Sequence, residues 1–99
     1  MTHLPDPSPV AGLVEAFRRS KIMFTALSMG IFDRLHNASG TASSLAAALG
    51  ANADAMERLL DACAALELLH KRDGAYANTP LAEAYLFSGS PYSLCGYIG

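Results

Sequence analysis

The sequence predicts a mostly α domain, a winged helix-turn-helix preceded by one long helix and carrying a single two-stranded hairpin. Three observations predict it. A long apolar series at helical spacing runs from a Ser-Pro pair to Gly30. Two shorter helical stretches are separated only by Gly50-Ala51-Asn52. The dipeptide Asp73-Gly74 divides two short runs that follow them. At 99 residues and 52% apolar, the chain can build one modest core and has no room for a second domain.

The elements follow in order. Ser8 as cap and Pro9 at the first helical position open a helix over about 9–29, closed by Gly30. Its stripe is Val10, Leu13, Phe17, Ser20, Phe24 and Leu27. A short turn of helix, Ile31 to Leu35, leads to a polar loop, His36 to Gly40. Thr41 caps a helix from Ala42 to Leu49, and Gly50 ends it. Asn52 caps a helix from Ala53 to about Leu66, with Met56, Leu59, Leu60, Cys63 and Leu66 on one face. Leu68 to Arg72 and Ala75 to Asn78 form the hairpin, because Asp-Gly supports the two positive φ angles of a type I′ turn. Thr79-Pro80 opens a short helix through Leu86. Ser88-Gly89-Ser90 is a break, and Pro91 opens one more helix on which the chain stops. These signals divide the chain into a flexible tail (1–8), the winged-helix domain (9–88), and the start of a connecting helix to a further domain (89–99).

Side chains for catalysis are scarce. His3, His36 and His70 fall in the tail, a loop and a strand, without spacing toward Cys, Asp or Glu, and read as surface histidines. Cys63 and Cys95 are far apart without CxxC spacing and read as free thiols. There is no GxGxxG, phosphate loop, HExxH or nucleophile elbow, so no catalytic residue, cofactor ligand or metal ligand is assigned. The N-terminus has neither a basic nor an apolar signal region, and no run reaches membrane-spanning length, which sets the expectation of a cytoplasmic protein with no membrane partner.

A winged helix-turn-helix raises a DNA-binding regulator as the alternative function. The net charge of −2 and the acidic second helix, with Asp54, Glu57 and Asp61 against Arg58, argue against nucleic acid as a partner. Lys71 and Arg72 on the wing, and Arg18, Arg19 and Lys21 on the first helix, are what that alternative would use. Asp54 and Arg58 read as an exposed helix pair, and Arg18 and Arg19 as a solvated face beside Glu15.

The first helix has the wrong shape for a surface helix. Ile22, Met23, Phe24, Ala26, Leu27 and Met29 cover most of its second half, leaving a narrow polar wedge of Lys21, Thr25 and Ser28. A helix buried within its own domain is one reading. The other is that one side packs on the helix-turn-helix and the other meets the same helix of a second chain across a two-fold axis. On that reading the interface comprises Val10, Leu13, Phe17, Met23, Phe24 and Leu27, joined by Tyr92 and Leu94 from the opening helix, where Tyr97 and Ile98 add apolar surface.

Three stretches carry a resemblance: Phe24-Thr-Ala-Leu-Ser-Met-Gly-Ile-Phe-Asp-Arg-Leu35, Met56-Glu-Arg-Leu-Leu-Asp-Ala-Cys-Ala-Ala-Leu66, and Tyr76-Ala-Asn-Thr-Pro-Leu-Ala-Glu-Ala-Tyr-Leu86 followed by Ser90-Pro91. In this order they resemble the N-terminal dimerisation domain of S-adenosylmethionine-dependent O-methyltransferases of the hydroxyindole or acetylserotonin type. The resemblance implies a homodimeric winged-helix module that binds no cofactor itself and is not an enzyme alone. It implies a downstream methyltransferase domain that holds S-adenosylmethionine and the catalytic base and methylates a small-molecule hydroxyl acceptor. It also implies that the first helix enters the partner subunit and walls its acceptor pocket, a role that falls here on Phe17, Ser20, Lys21 and Phe24.

Overall fold

The computed structural model describes residues 4–98. Met1, Thr2 and His3, which the sequence places in a flexible tail, lie outside the described residues, as do Gly99 and the side chains of Tyr97 and Ile98. Helices α1 (Ser8–Ser28), α2 (Ile31–Arg34), α3 (Ala42–Leu49), α4 (Ala53–Ala65), α5 (Pro80–Tyr85) and α6 (Cys95–Ile98) accompany strands β1 (Gly40–Thr41), β2 (Leu69–Arg72) and β3 (Ala75–Asn78). The arrangement is the mostly α, winged-helix-like one that the sequence predicts. Among the described residues no helix is long and apolar enough to cross a membrane.

The cap signals are largely honoured. Thr41 Oγ1 accepts from the Ser44 amide at 3.1 Å while Ser44 Oγ accepts from the Thr41 amide at 3.0 Å, a capping box in which Ser replaces the usual Glu. Asn52 Oδ1 accepts from the Ala55 amide at 3.0 Å, and Thr79 Oγ1 from that of Ala82 at 3.3 Å. Each satisfies one of the amides a helix start leaves without a partner. Asp73 (φ 52) and Gly74 (φ 79) both take the left-handed conformation, as the hairpin requires.

The first helix departs from expectation at its start. It begins at Ser8, with Pro7 in the cap position and Pro9 second. Ser8 is therefore not the cap: its own amide and hydroxyl donate to Asp6 Oδ1, at 3.0 and 2.8 Å. The short Asp side chain two residues upstream does the work predicted for the serine. Two further corrections concern loops. The segment before Thr41 is not all loop, since Gly40–Thr41 pairs antiparallel with β3, Gly40 opposite Tyr76. The hairpin is thus part of a three-stranded sheet ordered β1-β3-β2. A two-residue strand carries no period that sequence could reveal. Pro91 does not open a helix either. Ser90 to Ser93 form a turn, closed by the Ser93 amide on the Ser90 carbonyl at 3.1 Å, and helix resumes at Cys95.

The core sits where α2, α3 and α4 meet the sheet. Ile31, Phe32, Leu35, Leu45, Met56, Leu60, Cys63, Leu69 and Tyr76 are buried there, with Ala26 the contribution of α1. Gly30, at φ 74, takes the left-handed turn that swings the chain from α1 into α2, so that Ile31 and Phe32 enter the core immediately after the helix ends. Leu60 has no exposed surface. Its truncation to alanine is expected to lower the unfolding free energy by about 2–5 kcal/mol in chemical denaturation, with an unchanged dependence on denaturant.

Candidate functional site

The apolar surface of α1 divides along the helix rather than around it. In the second half Ala26 is fully buried, and Ile22, Met23, Leu27 and Met29 pack against the core at partial exposure. The over-apolar circumference that the sequence singled out is therefore mostly used by the domain itself. The first half is the uncovered part. Every residue from Leu4 to Arg19 is exposed, including Leu13 (71%) and Phe17 (65%), and Ser20 is the first that is partly covered.

At about 100° per residue, Phe17 stands about 180° round the helix from Ala26, and Val10, Leu13 and Phe24 fall within about 40° of Phe17. These four form one exposed apolar stripe on the side facing away from the core. Val14 and the polar wedge flank it. Thr25 Oγ1 donates to the Lys21 carbonyl (2.7 Å) and Ser28 Oγ to that of Thr25 (3.0 Å), so the wedge satisfies itself within the helix. Of the residues expected at an interface, Val10, Leu13, Phe17, Phe24, Tyr92 and Leu94 are exposed, whereas Met23 and Leu27 are half-covered by their own core.

The residues expected to wall an acceptor pocket share one side of α1 but not one hollow. Phe24 rims a hollow of about 480 Å³ whose other walls include Leu27, Phe32, Leu86 and Cys95. Lys21 lines a separate, shallower hollow of about 360 Å³ with Arg18, Ile22 and Leu59. Phe17 and Ser20 line neither.

The wing is spent on α4. Tyr76 Oη donates a hydrogen bond to Asp61 Oδ1, and Lys71 Nζ reaches the same oxygen at 3.0 Å while lying 5.2 Å over the Tyr76 ring. The Tyr76 hydroxyl, then the Lys71 ammonium, hold the Asp61 carboxyl below its ordinary value, and Tyr76 and Asp61 in turn hold the Lys71 ammonium above its own. A wing lysine committed to a carboxylate of the would-be recognition helix is poorly placed to meet phosphates. Asp54 and Arg58, by contrast, are exposed and form no ion pair among the described residues, while Arg18 and Glu15 meet at 3.4 Å in solvent, as expected.

Sequence reasoning missed a polar clamp. His36 is not a surface histidine: its Nδ1 lies 2.8 Å from Glu83 Oε1 and its ring stacks on Phe87, centroids 3.7 Å apart. Asn78 Nδ2 donates to the other Glu83 oxygen (2.6 Å) and to the Phe32 carbonyl (2.8 Å). The signal was present in the Asn-Thr-Pro run, where an Asn precedes a cap and a Glu lies five residues on, but its partners are distant in sequence. Asp33 adds a second tie, accepting from the Ser88 amide and hydroxyl at 2.9 and 2.8 Å. His70 is exposed on β2, as expected. Both cysteines are free, and burial pushes the Cys63 thiol up to about 11, which makes it a core side chain and not a nucleophile.

Because the folded carboxyl of Asp61 is lowered, its contribution to stability is fully present above the ordinary value of 3.8 and is lost as pH falls through the lowered one. Thermal unfolding followed between about pH 5 and pH 2 is expected to show that loss in the native chain and a flatter profile in Asp61→Asn.

The comparisons with known proteins agree with this geometry. Residues 11–88 match the family model described as the O-methyltransferase dimerisation domain. The chain is 49% identical over 97 residues to acetylserotonin O-methyltransferase from Gallus gallus, covering 91% of this chain and 28% of that protein. It is 43% identical over 95 residues to a probable bifunctional dTTP/UTP pyrophosphatase/methyltransferase protein from Homo sapiens, covering 95% of this chain and 15% of that one. The crystal structure of human N-acetylserotonin methyltransferase in complex with SAM superposes with a TM-score of 0.79 at 32% identity, over 99% of this chain and 31% of that one. The chain thus spans less than a third of the length of these relatives. An apolar stripe left uncovered on α1, a wing bound to its own helix and a match over most of the chain lead to one assignment: the chain belongs to the O-methyltransferase dimerisation domain family.

Proposed function

We propose that this chain is the self-association module of a homodimeric, S-adenosylmethionine-dependent O-methyltransferase, and that a second copy covers the stripe of Val10, Leu13, Phe17 and Phe24. The observation that carries the reading is the exposure of Leu13 and Phe17 on the side of α1 opposite Ala26, in a chain of a dimerisation family. Four large apolar side chains in a row on one helix are an interaction surface in waiting. The half-covered Met23 and Leu27 flank it, and Tyr92 and Leu94 extend it.

Methyl transfer to a small-molecule hydroxyl belongs, on this reading, to a methyltransferase domain that follows in a longer polypeptide, joined through the segment 89–99. The left-handed glycines among the described residues have other tasks, Gly30 and Gly50 closing helices and Gly74 turning the hairpin, so these residues offer S-adenosylmethionine no glycine cradle. In the dimer Phe17, Ser20, Lys21 and Phe24 would present one continuous side of α1 to the partner's acceptor pocket. The free thiols of Cys63 and Cys95 are in keeping with a cytoplasmic setting.

Light scattering coupled to size exclusion tests the association. The chain is expected to elute as a dimer at micromolar concentration, and Leu13→Asp/Phe17→Asp as a monomer with its cooperative unfolding intact, since both side chains lie off the core. A monomeric parent chain, or a doubly substituted chain that still dimerises, overturns the reading.

A further inference from the structure

The arm formed by the first half of α1 has little of its own to keep it helical. Every residue from Ser8 to Arg19 is exposed, so little tertiary burial offsets the cost of ordering them, and about 18 Å of helix extends along this uncovered stretch. No side chain of the cap residue closes the helix start, and no acidic residue occupies its first turn. Gly12 stands in the middle of the arm and β-branched Val10 and Val14 lie two residues to either side, all unfavourable in an exposed helix. On the other side of the balance are the Asp6 to Ser8 hydrogen bonds and one exposed Glu15–Arg18 contact at 3.4 Å. Contacts of that kind are weak. A segment of about a dozen residues so composed is marginal as a helix in water.

Resting on the proposed self-association, we infer that the arm becomes a stable helix only against a second copy, so that ordering of Ser8–Arg19 and dimerisation are one coupled step. In the free monomer the helix frays back toward Ser20, where the body begins to support it. The same apolar side chains that would order the arm are those that would bind the partner, so the dissociated chain lacks the aligned apolar stripe that a rigid helix would display. The affinity of the dimer then depends on helix propensity at arm positions that touch nothing.

Gly12 and Ala11 allow a direct test on the 99-residue chain. A Cβ added at Gly12 meets nothing within 4 Å, and both positions lie about 120–140° round the helix from Phe17, off the stripe. If the arm orders on association, Gly12→Ala tightens each arm's contribution about four-fold and the dimer, which orders two arms, about fifteen-fold, while Ala11→Gly weakens it in the same sense. Dissociation constants from sedimentation equilibrium give the readout, and amide hydrogen exchange gives a second. Below the dissociation constant the amides of 12–19 are expected to lose protection while those of Leu60 and Cys63 keep theirs. Association of unchanged strength in both variants, or equal protection of the arm in monomer and dimer, overturns the coupling and leaves the proposed dimer standing. A chain that does not associate at any concentration overturns the proposed dimer and, with it, this inference.

Discussion

The structure turns on the two opposite sides of α1. Ala26 is pressed into the core with no exposed surface, and Phe17, about half a helical circumference away, is pressed against nothing. A single helix laid across a small helical body can bury only the sector that faces it. The remaining apolar sector must stay in water or find another molecule, and each large side chain left exposed forgoes about 1.5–3 kcal/mol of burial. The domain resolves this along the length of the helix. Its second half is held on both flanks by Ile22, Met23, Leu27 and Met29, and its first half extends beyond the body with its stripe uncovered.

Everything after α1 fixes the direction in which the arm leaves. The left-handed Gly30 turns the chain sharply, so that Ile31 and Phe32 enter the core at once. The Phe32 carbonyl is then gripped by Asn78, and Asn78 by Glu83, which also holds His36. That clamp joins the end of the sheet to α2 and α5 across more than forty residues of sequence, and Asp33 repeats the tie to Ser88. Asn78 is the buried member of this network, and losing Glu83 would leave its amide with the Phe32 carbonyl as its remaining acceptor, whereas His36 and Glu83 are partly exposed and Asp33 and Ser88 meet at the surface. The wing is likewise fastened, through Asp61, Lys71 and Tyr76. One wing cation, Lys71, is thereby paired at the surface with a carboxylate of α4, while Arg72 stays exposed.

Local signals were legible in the sequence wherever they are carried by neighbours in the chain. Thr41, Asn52 and Thr79 act as the caps their positions announce, and Asp73-Gly74 makes the turn its dipeptide requires. The helical period of α4 brings Met56, Leu60 and Cys63 to one face as read, and that face enters the core. Ser8 misled because a cap is decided by geometry as well as residue type, and Asp6 was equally able to accept the amide. Strand β1 was invisible because two residues hold no pattern, and the histidine clamp because its members meet only in three dimensions. The candidate surface was half legible. Periodicity found the stripe, but only the position of the body along α1 shows that its first half, and not its more apolar second half, is the uncovered part.

In the proposed dimer the stripe on α1 faces the same stripe of another copy. Mixing isotope-labelled and unlabelled chains and recording only intermolecular NOEs tests it most directly. The account predicts contacts among Val10, Leu13, Phe17 and Phe24 across the interface. Intermolecular contacts confined to another exposed apolar site, such as Leu81 and Tyr85 on α5, with none from α1, would contradict it.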